Sequence, residues 1–177
     1  MLDTGLTGKT AIITGTNNPY GIGAGIAKAF AAQGVRLFLH YYRPSLTGET
    51  AVPISDKPGA AFYHAQSQKT AVPVLTTLHT LGAEAVAWEA DLAGETAVPT
   101  LFDAAEKAFG PIDIVVNNAT HWEADTFIPA GGRIRNKFVE MWTDRPQPIN
   151  AGSINRIFAV NTHAVALVMA EFARHRK

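Results

Sequence analysis

Four short apolar runs recur along the chain, at residues 10–14, 36–41, 85–89 and 112–117, and each has the length of a strand. Between and after them the apolar positions switch to helical spacing, over residues 21–33, about 67–81, 97–109 and about 151–175. Strand and helix in alternation predict right-handed crossovers and a parallel sheet covered on both faces. The fourth run, Ile112-Asp113-Ile114-Val115-Val116, is nearly continuous in its apolar residues, as suits a strand buried on both sides. Gly34 and Gly82 stand just past two of the helices, where a left-handed residue often ends the last turn. The expected fold is therefore α/β, a doubly wound parallel sheet in one domain over residues 1–177.

Two connections break the rhythm. Residues 44–66 and 120–150 are rich in proline and glycine and far exceed the usual βα loop of about 2–6 residues. Ala-Val-Pro recurs at 51–53, 71–73 and 97–99, but at unequal spacing and without wider similarity, so it reads as coincidence.

Composition narrows the picture. Hydrophobic residues make up 47% of the 177 positions, and the N-terminal Met1-Leu2-Asp3-Thr4-Gly5 lacks the basic and apolar regions of a signal peptide. No apolar run looks long enough to span a bilayer. Without cysteine there is neither a disulfide framework nor a thiolate metal site, and the six histidines show no metal-ligand spacing with carboxylates. Fifteen basic residues balance fifteen acidic ones, which argues against nucleic acid or an anionic membrane as the main partner. A cytoplasmic protein with a small-molecule substrate is the expectation.

The chemistry begins at Thr14-Gly15, where the first strand ends and a glycine-rich turn runs to Gly21-Ile22-Gly23 at the start of a helix. Glycines let backbone amides approach a pyrophosphate, and the helix N-terminus favours its charge. Asp91-Leu92 directly follows the third strand, Asn117-Asn118-Ala119 closes the fourth, and Val160-Asn161 lies inside the last helix.

Together these residues resemble the short-chain dehydrogenase/reductase family, in particular its 3-oxoacyl-carrier-protein-reductase-like members. The resemblance covers nearly the whole chain as the N-terminal, Rossmann-like half of that fold. It implies that Gly15, Asn17, Gly21, Ile22 and Gly23 hold the pyrophosphate and adjoining ribose, that Asp91 and Leu92 border the adenine, and that Asn118 and Ala119 border the nicotinamide-side ribose. It also implies a homo-oligomer, a dimer or tetramer. Five residues separate the first two glycines where the family commonly has three. That spacing, with Gly25-Ile26-Ala27 after it, is similar to the enoyl-carrier-protein reductases, so enoyl thioester reduction is a minor alternative. Thr120 replaces the usual glycine after Ala119, and either crowds the cofactor or marks a different exit for the loop.

The second strand ends His40-Tyr41-Tyr42-Arg43 without the carboxylate that would bind an adenosine ribose and repel a 2′-phosphate. Arg43 is either a bidentate partner for that phosphate or a solvated loop residue. With Tyr41 beside it, this end of the sheet predicts NADP(H), with NAD(H) the alternative.

Ile154, Ile157, Phe158, Val165, Val168, Met169 and Phe172 follow a 3.6-residue stripe, and Asn161 falls on it. An amide on such a face needs partners. They are either local backbone, making it a core asparagine, or, as the resemblance implies, a water beside a catalytic lysine in a proton relay.

Carbonyl reduction in the family uses a serine and a tyrosine followed four residues later by lysine. None of Tyr20, Tyr41, Tyr42 or Tyr63 has a lysine at that spacing. The expectation is that these groups belong to a segment following residue 177, that the chain alone is inactive, and that residues 112–116 form an exposed sheet edge. Other residues keep two readings each. His121 and Trp122 either meet a substrate or pack under a loop, and Arg133, Arg135 and Lys137 either meet an acidic carrier or form a solvated face. The leading function is reduction of a ketone, with a 3-oxoacyl thioester as the family-level substrate. A nucleotide-binding module without turnover is the competitor.

Overall fold

Every residue of the first strand, β1 (Thr10–Thr14), is buried, because it lies second from the edge of a parallel sheet with helices on both faces. The computed structural model describes residues 3–44, 57–123, 125–128 and 147–176. In chain order the elements are β1, α1 (Ile22–Ala31), β2 (Arg36–Tyr41), α2 (Ala60–Ser67), α3 (Val72–Thr80), β3 (Ala85–Glu89), α4 (Ala97–Phe109) and β4 (Ile114–Val116). A two-stranded pair, β5 (Asp125–Thr126) and β6 (Gln147–Pro148), follows. The outer helix then runs through α5 (Ala151–Phe158), a π-helical segment (Ala159–Ala164) and α6 (Val165–His175).

Strand order is β3-β2-β1-β4, all parallel, with Ile12 opposite Phe38 on one side and Val115 on the other. Alternate β1 side chains serve opposite layers. Ala11 and Ile13 meet Leu37 and Leu39 under α1 and α3, where Ala24, Ala27, Ala31, Val74 and Leu78 close one core. The small alanines let α1 lie close to the sheet. Ile12 and Phe38 meet Val98, Leu101, Phe102 and Ala105 of α4, with Ala164 and Val168 of the outer helix, in the second core. The expected α/β doubly wound sheet is thus present.

Three predicted elements differ in detail. The helix expected over 67–81 is α3 alone, preceded by the separate α2. Pro73 sits in the first turn of α3, where its missing N–H is tolerated, and it cannot continue a helix from upstream. The fourth strand contracts to Ile114–Val116 because Asp113 turns its carboxylate back to β1. It accepts from Thr10 N and Lys9 Nζ, both at 2.9 Å, and the Thr10 amide holds its pKa below the usual carboxylate range. Among the described residues, β4 pairs with β1 alone. Within the predicted loops, α2 occupies residues 60–67 and the β5–β6 pair brackets the second. The Ala-Val-Pro at 51–53 and the cluster Arg133, Arg135 and Lys137 lie outside the described residues.

The outer helix departs most from expectation. Ile154, Phe158 and Met169, placed on the core stripe by a 3.6 period, are 40%, 50% and 57% exposed. Val168 is buried and Phe172 packs against the second core as that stripe predicts, but the wider turn of the π segment shifts the phase, and Ser153, Ala164 and Glu171, which are off the stripe, also face inward. A second correction concerns membrane-spanning length. Residues Ala151–His175 include an 18-residue stretch of mean hydropathy 1.2 and are, by length and composition only, long and apolar enough to cross a membrane, contrary to the sequence reading. Their place is the helical layer over α4. At the start of α5, Asn150 Oδ1 accepts from Ser153 N while Ser153 Oγ accepts from Asn150 N, a reciprocal cap that fixes where the helix begins.

The end of that layer is held by charge. His175 Nδ1 lies 2.9 Å from Glu106 on α4 and its Nε2 lies 3.2 Å from Glu171, whose other oxygen pairs with Arg174, and its ring stacks on Phe102. The Glu106 carboxylate raises the His175 pKa, followed in effect by Glu171. A raised folded-state pKa stabilises the fold fully below the unfolded value of about 6.5, and that contribution is lost as pH rises through the folded value. The denaturation midpoints of the wild type and His175→Asn should therefore differ most below about pH 6.5, and the difference should shrink as pH rises above it. A difference independent of pH would remove this role from His175.

Candidate functional site

Thr14 ends β1 with a hydroxyl that accepts from two amides of the other crossover, Asn118 N at 3.0 Å and Ala119 N at 2.9 Å. Asn118 returns the contact. Its Nδ2 donates to the carbonyls of Thr14 (2.8 Å) and Gly15 (2.9 Å). These four bonds staple the turn after β1 to the turn after β4, at the carboxyl ends of the two strands where the chain's winding reverses. Open parallel sheets bind ligands at that crevice.

The staple requires glycine. Gly15 has φ +72°, and a Cβ there would stand 2.8 Å from Ala119 Cα. A Cβ on Gly23 would stand 2.5 Å from the Gly15 carbonyl oxygen and 2.7 Å from Asn118 Nδ2. Between them the longer turn folds on itself, with Asn18 O accepting from Gly21 N (2.9 Å) and Asn18 Oδ1 from Tyr20 N (3.0 Å). The two extra residues are absorbed in that tight bend. Gly21 then opens α1 with no side-chain cap and no acidic residue in the first turn, so the helix presents bare N–H groups toward the crevice mouth. Ile22 at that mouth is 76% exposed.

The remaining predicted residues divide by where their side chains point. Asn17 is buried, and its Nδ2 donates to Ser67 O (2.7 Å) and Lys69 O (2.8 Å), so the amide anchors the α2–α3 junction to the glycine turn. Asp91 Oδ1 accepts from Ala93 N (2.9 Å) and shapes the turn after β3, while Leu92 is buried in the second core. Ala119 packs against that core beside the staple. At the end of β2, Arg43 gives two bonds of 2.8 Å to Glu89, from Nε to one oxygen and from Nη2 to the other. Tyr41 is nearly buried and its hydroxyl donates to the same carboxylate. Burial first, and then Glu89, raise the Tyr41 pKa.

Asn161 lies in the π segment and is exposed, which corrects its expected burial on a core stripe. It does find backbone partners. Its Oδ1 accepts from His121 N (2.8 Å) and its Nδ2 donates to His121 O (2.9 Å), a two-point clamp that mimics a strand neighbour. Thr120 Oγ1 donates to the same Oδ1 at 3.2 Å. His121 Nε2 lies 2.8 Å from Glu123, which is held by Arg156 Nε at 2.5 Å and Nη2 at 2.8 Å. The Arg156 guanidinium, and after it His121, holds the Glu123 carboxyl down at about 2. Trp122 is 52% exposed beside them.

Sequence reasoning missed several groups that build this site. Thr14 was named only as a strand end. Thr16 fixes the turn to β2, its N and Oγ1 donating to His40 O at 3.1 and 3.0 Å. His40, buried and with its pKa lowered by that burial, joins β2 to β3 through Nε2 and Ala90 O at 2.9 Å. Glu89 ends β3, and reading the carboxyl end of every strand, rather than of β2 alone, would have found it.

This arrangement of parallel sheet, stapled glycine turn and bare helix N-terminus defines a Rossmann-like α/β protein. The family model for short chain dehydrogenases matches residues 47–177, and the chain belongs to that oxidoreductase family. The match begins after the glycine turn, which longer alignments take in. Versicolorin reductase of Emericella nidulans is 27% identical over 170 residues, 96% of this chain and 48% of its own length. A short-chain type dehydrogenase/reductase of Picea abies is 33% identical over 64% of this chain and 35% of its own. The chain thus spans about a third to a half of these curated relatives. Among solved structures, a short-chain dehydrogenase of Burkholderia cenocepacia in complex with NADP superposes with a TM-score of 0.63 at 29% identity, over 96% of this chain and 51% of that one. A Burkholderia phymatum relative in complex with NAD gives 0.60 at 25% identity, over 98% and 45%.

Gly23→Ala tests the staple. The added methyl has no room against Gly15 O, and overpacking of this kind costs about 1–3 kcal/mol. A lower denaturant midpoint is expected, and an unchanged one would show that the turn can yield without loss.

Proposed function

We propose that this chain is the cofactor-binding part of an NADP(H)-dependent oxidoreductase that reduces a ketone to a secondary alcohol, with a 3-oxoacyl thioester as the first substrate class to test. The observation that carries the reading is the Asn118 staple, which holds the glycine turn open-faced beside the uncapped start of α1. Close-packed glycines and bare amides fit a pyrophosphate. In this reading the backbone at Gly15, Gly21, Ile22 and Gly23 takes the phosphates. Asp91 and Leu92 border the adenine, and Asn118 and Ala119 border the nicotinamide-side ribose. The nicotinamide, when bound, supplies a hydride. The absence of a carboxylate at the end of β2 and the presence of Arg43 there support NADP(H) over NAD(H).

Asn161 is in this reading a positioning residue. It holds the Thr120–His121 backbone where that segment leaves β4, and so sets the floor that a carbonyl substrate would approach. The His121–Glu123–Arg156 chain fixes the next side chain along.

NADPH should bind about tenfold or more tightly than NADH, a difference of at least 1.4 kcal/mol, and equal dissociation constants would overturn the preference. NADPH oxidation against a panel of ketones and 3-oxoacyl thioesters tests the reaction. Binding without oxidation is expected of residues 1–177 tested alone; in a polypeptide that also carries the serine and the tyrosine–lysine pair, the same result would support a nucleotide-binding module instead. Oxidation by an enoyl thioester alone would support enoyl reduction. Where turnover is seen, Asn161→Leu should lower kcat by about tenfold or more while the NADPH dissociation constant stays within about twofold. Equal losses in both would make Asn161 purely structural.

A further inference from the structure

We infer that Glu89, at the end of β3, is a specificity-determining residue that competes with the cofactor's 2′-phosphate for Arg43; the inference rests on the NADP(H) reading above. Tyr41 and Glu89 are opposite each other in the parallel register, and Ala90 N donates to Tyr41 O at 3.0 Å to prolong the ladder. The carboxylate therefore stands beside the end of β2, one strand over from where β2 lacks an acid of its own. It accepts two bonds of 2.8 Å from the Arg43 guanidinium and one from the Tyr41 hydroxyl.

Arg43 lies 20 positions past Gly23, the distance at which an acid or an arginine meets the adenosine ribose in dinucleotide-binding sheets. Its fork fits one planar partner at a time, a carboxylate or a phosphate. With the Arg43–Glu89 pair closed, the corner is electrically neutral and a ribose 2′-hydroxyl can donate to the carboxylate. A 2′-phosphate has to draw the guanidinium off Glu89, and then faces a carboxylate left with the Tyr41 hydroxyl alone. Like charges at such a separation repel and are only partly screened by salt, since Arg43 and Glu89 are 41% and 31% exposed. The pair thus weakens NADP(H) selectively and leaves NAD(H) binding nearly untouched.

Glu89→Gln keeps the shape and an acceptor for Tyr41 and removes only the charge. The test is calorimetric titration of the full chain with NADP+ and with NAD+, in the wild type, Glu89→Gln, Arg43→Leu and the double variant. The expected result is NADP+ binding about tenfold tighter in Glu89→Gln, NAD+ binding within about twofold, and no gain from Glu89→Gln once Arg43 is leucine. An unchanged NADP+ to NAD+ ratio overturns the inference while leaving the dinucleotide reading intact. So does a gain that persists without Arg43, or an equal loss for both nucleotides. Failure of the wild type to bind either nucleotide overturns the proposed function itself, and this inference with it.

Discussion

The site depends on the exchange between Thr14 and Asn118. A threonine hydroxyl at the end of β1 satisfies two amides of the β4 turn, and an asparagine amide of that turn satisfies two carbonyls of β1 and Gly15. Those backbone groups lie past the last ladder bonds of a parallel pair, where they would otherwise need water or another partner. By pairing them side chain to backbone, the staple closes the floor of the crevice at the strand ends. The glycines follow from it, since residues 15 and 23 lie too close to this contact to carry a Cβ.

The polar side chains around the crevice mostly hold backbone. Asn17 binds the α2–α3 junction, Asp91 its own turn, Thr16 the end of β2, and Asn161 both polar groups of His121. A rigid frame of this kind leaves the ligand-facing work to backbone N–H groups at the start of α1, which lose no rotamer freedom when a ligand binds. The helix α2 fits the same pattern. Tyr20 of the glycine turn packs on Phe62 of α2 with ring centroids 5.3 Å apart, so α2 leans against the turn that Asn17 already ties to it.

The sheet was legible because its signal is redundant: β1, β2, β3 and α4 have the boundaries that the apolar runs imply. The glycine turn and Asn118 were legible as a pair of motifs. Their joining through Thr14 was not, since nothing local to a strand-end threonine marks it as an acceptor for residues more than a hundred positions away. Asn161 shows the opposite failure. It stood out in the sequence as a candidate, but its environment was derived from a uniform 3.6-residue period that a single π turn displaces. Glu89 was missed because the rule applied looked at one strand, whereas in-register pairing carries a charge from a neighbouring strand to the same corner.

Charge in this site is arranged in neutral pairs. Arg43–Glu89 stands at the β2–β3 corner and Arg156–Glu123 beyond β4, each a two-pronged contact between guanidinium and carboxylate. With equal numbers of acidic and basic residues overall, the chain offers no strong field to draw an anionic ligand from a distance. Recognition is then left to short-range geometry, the helix amides and the glycine turn, which act only on a ligand already seated. The two pairs differ in what holds them. Glu123 is gripped by Arg156 and His121 and is kept ionised down to about pH 2, so it serves as a fixed strut for the segment leaving β4. Glu89 shares its arginine with the corner where a ribose would lie. Its partner can therefore change without disturbing the staple, which is what separates a residue that tunes selection from those that build the site.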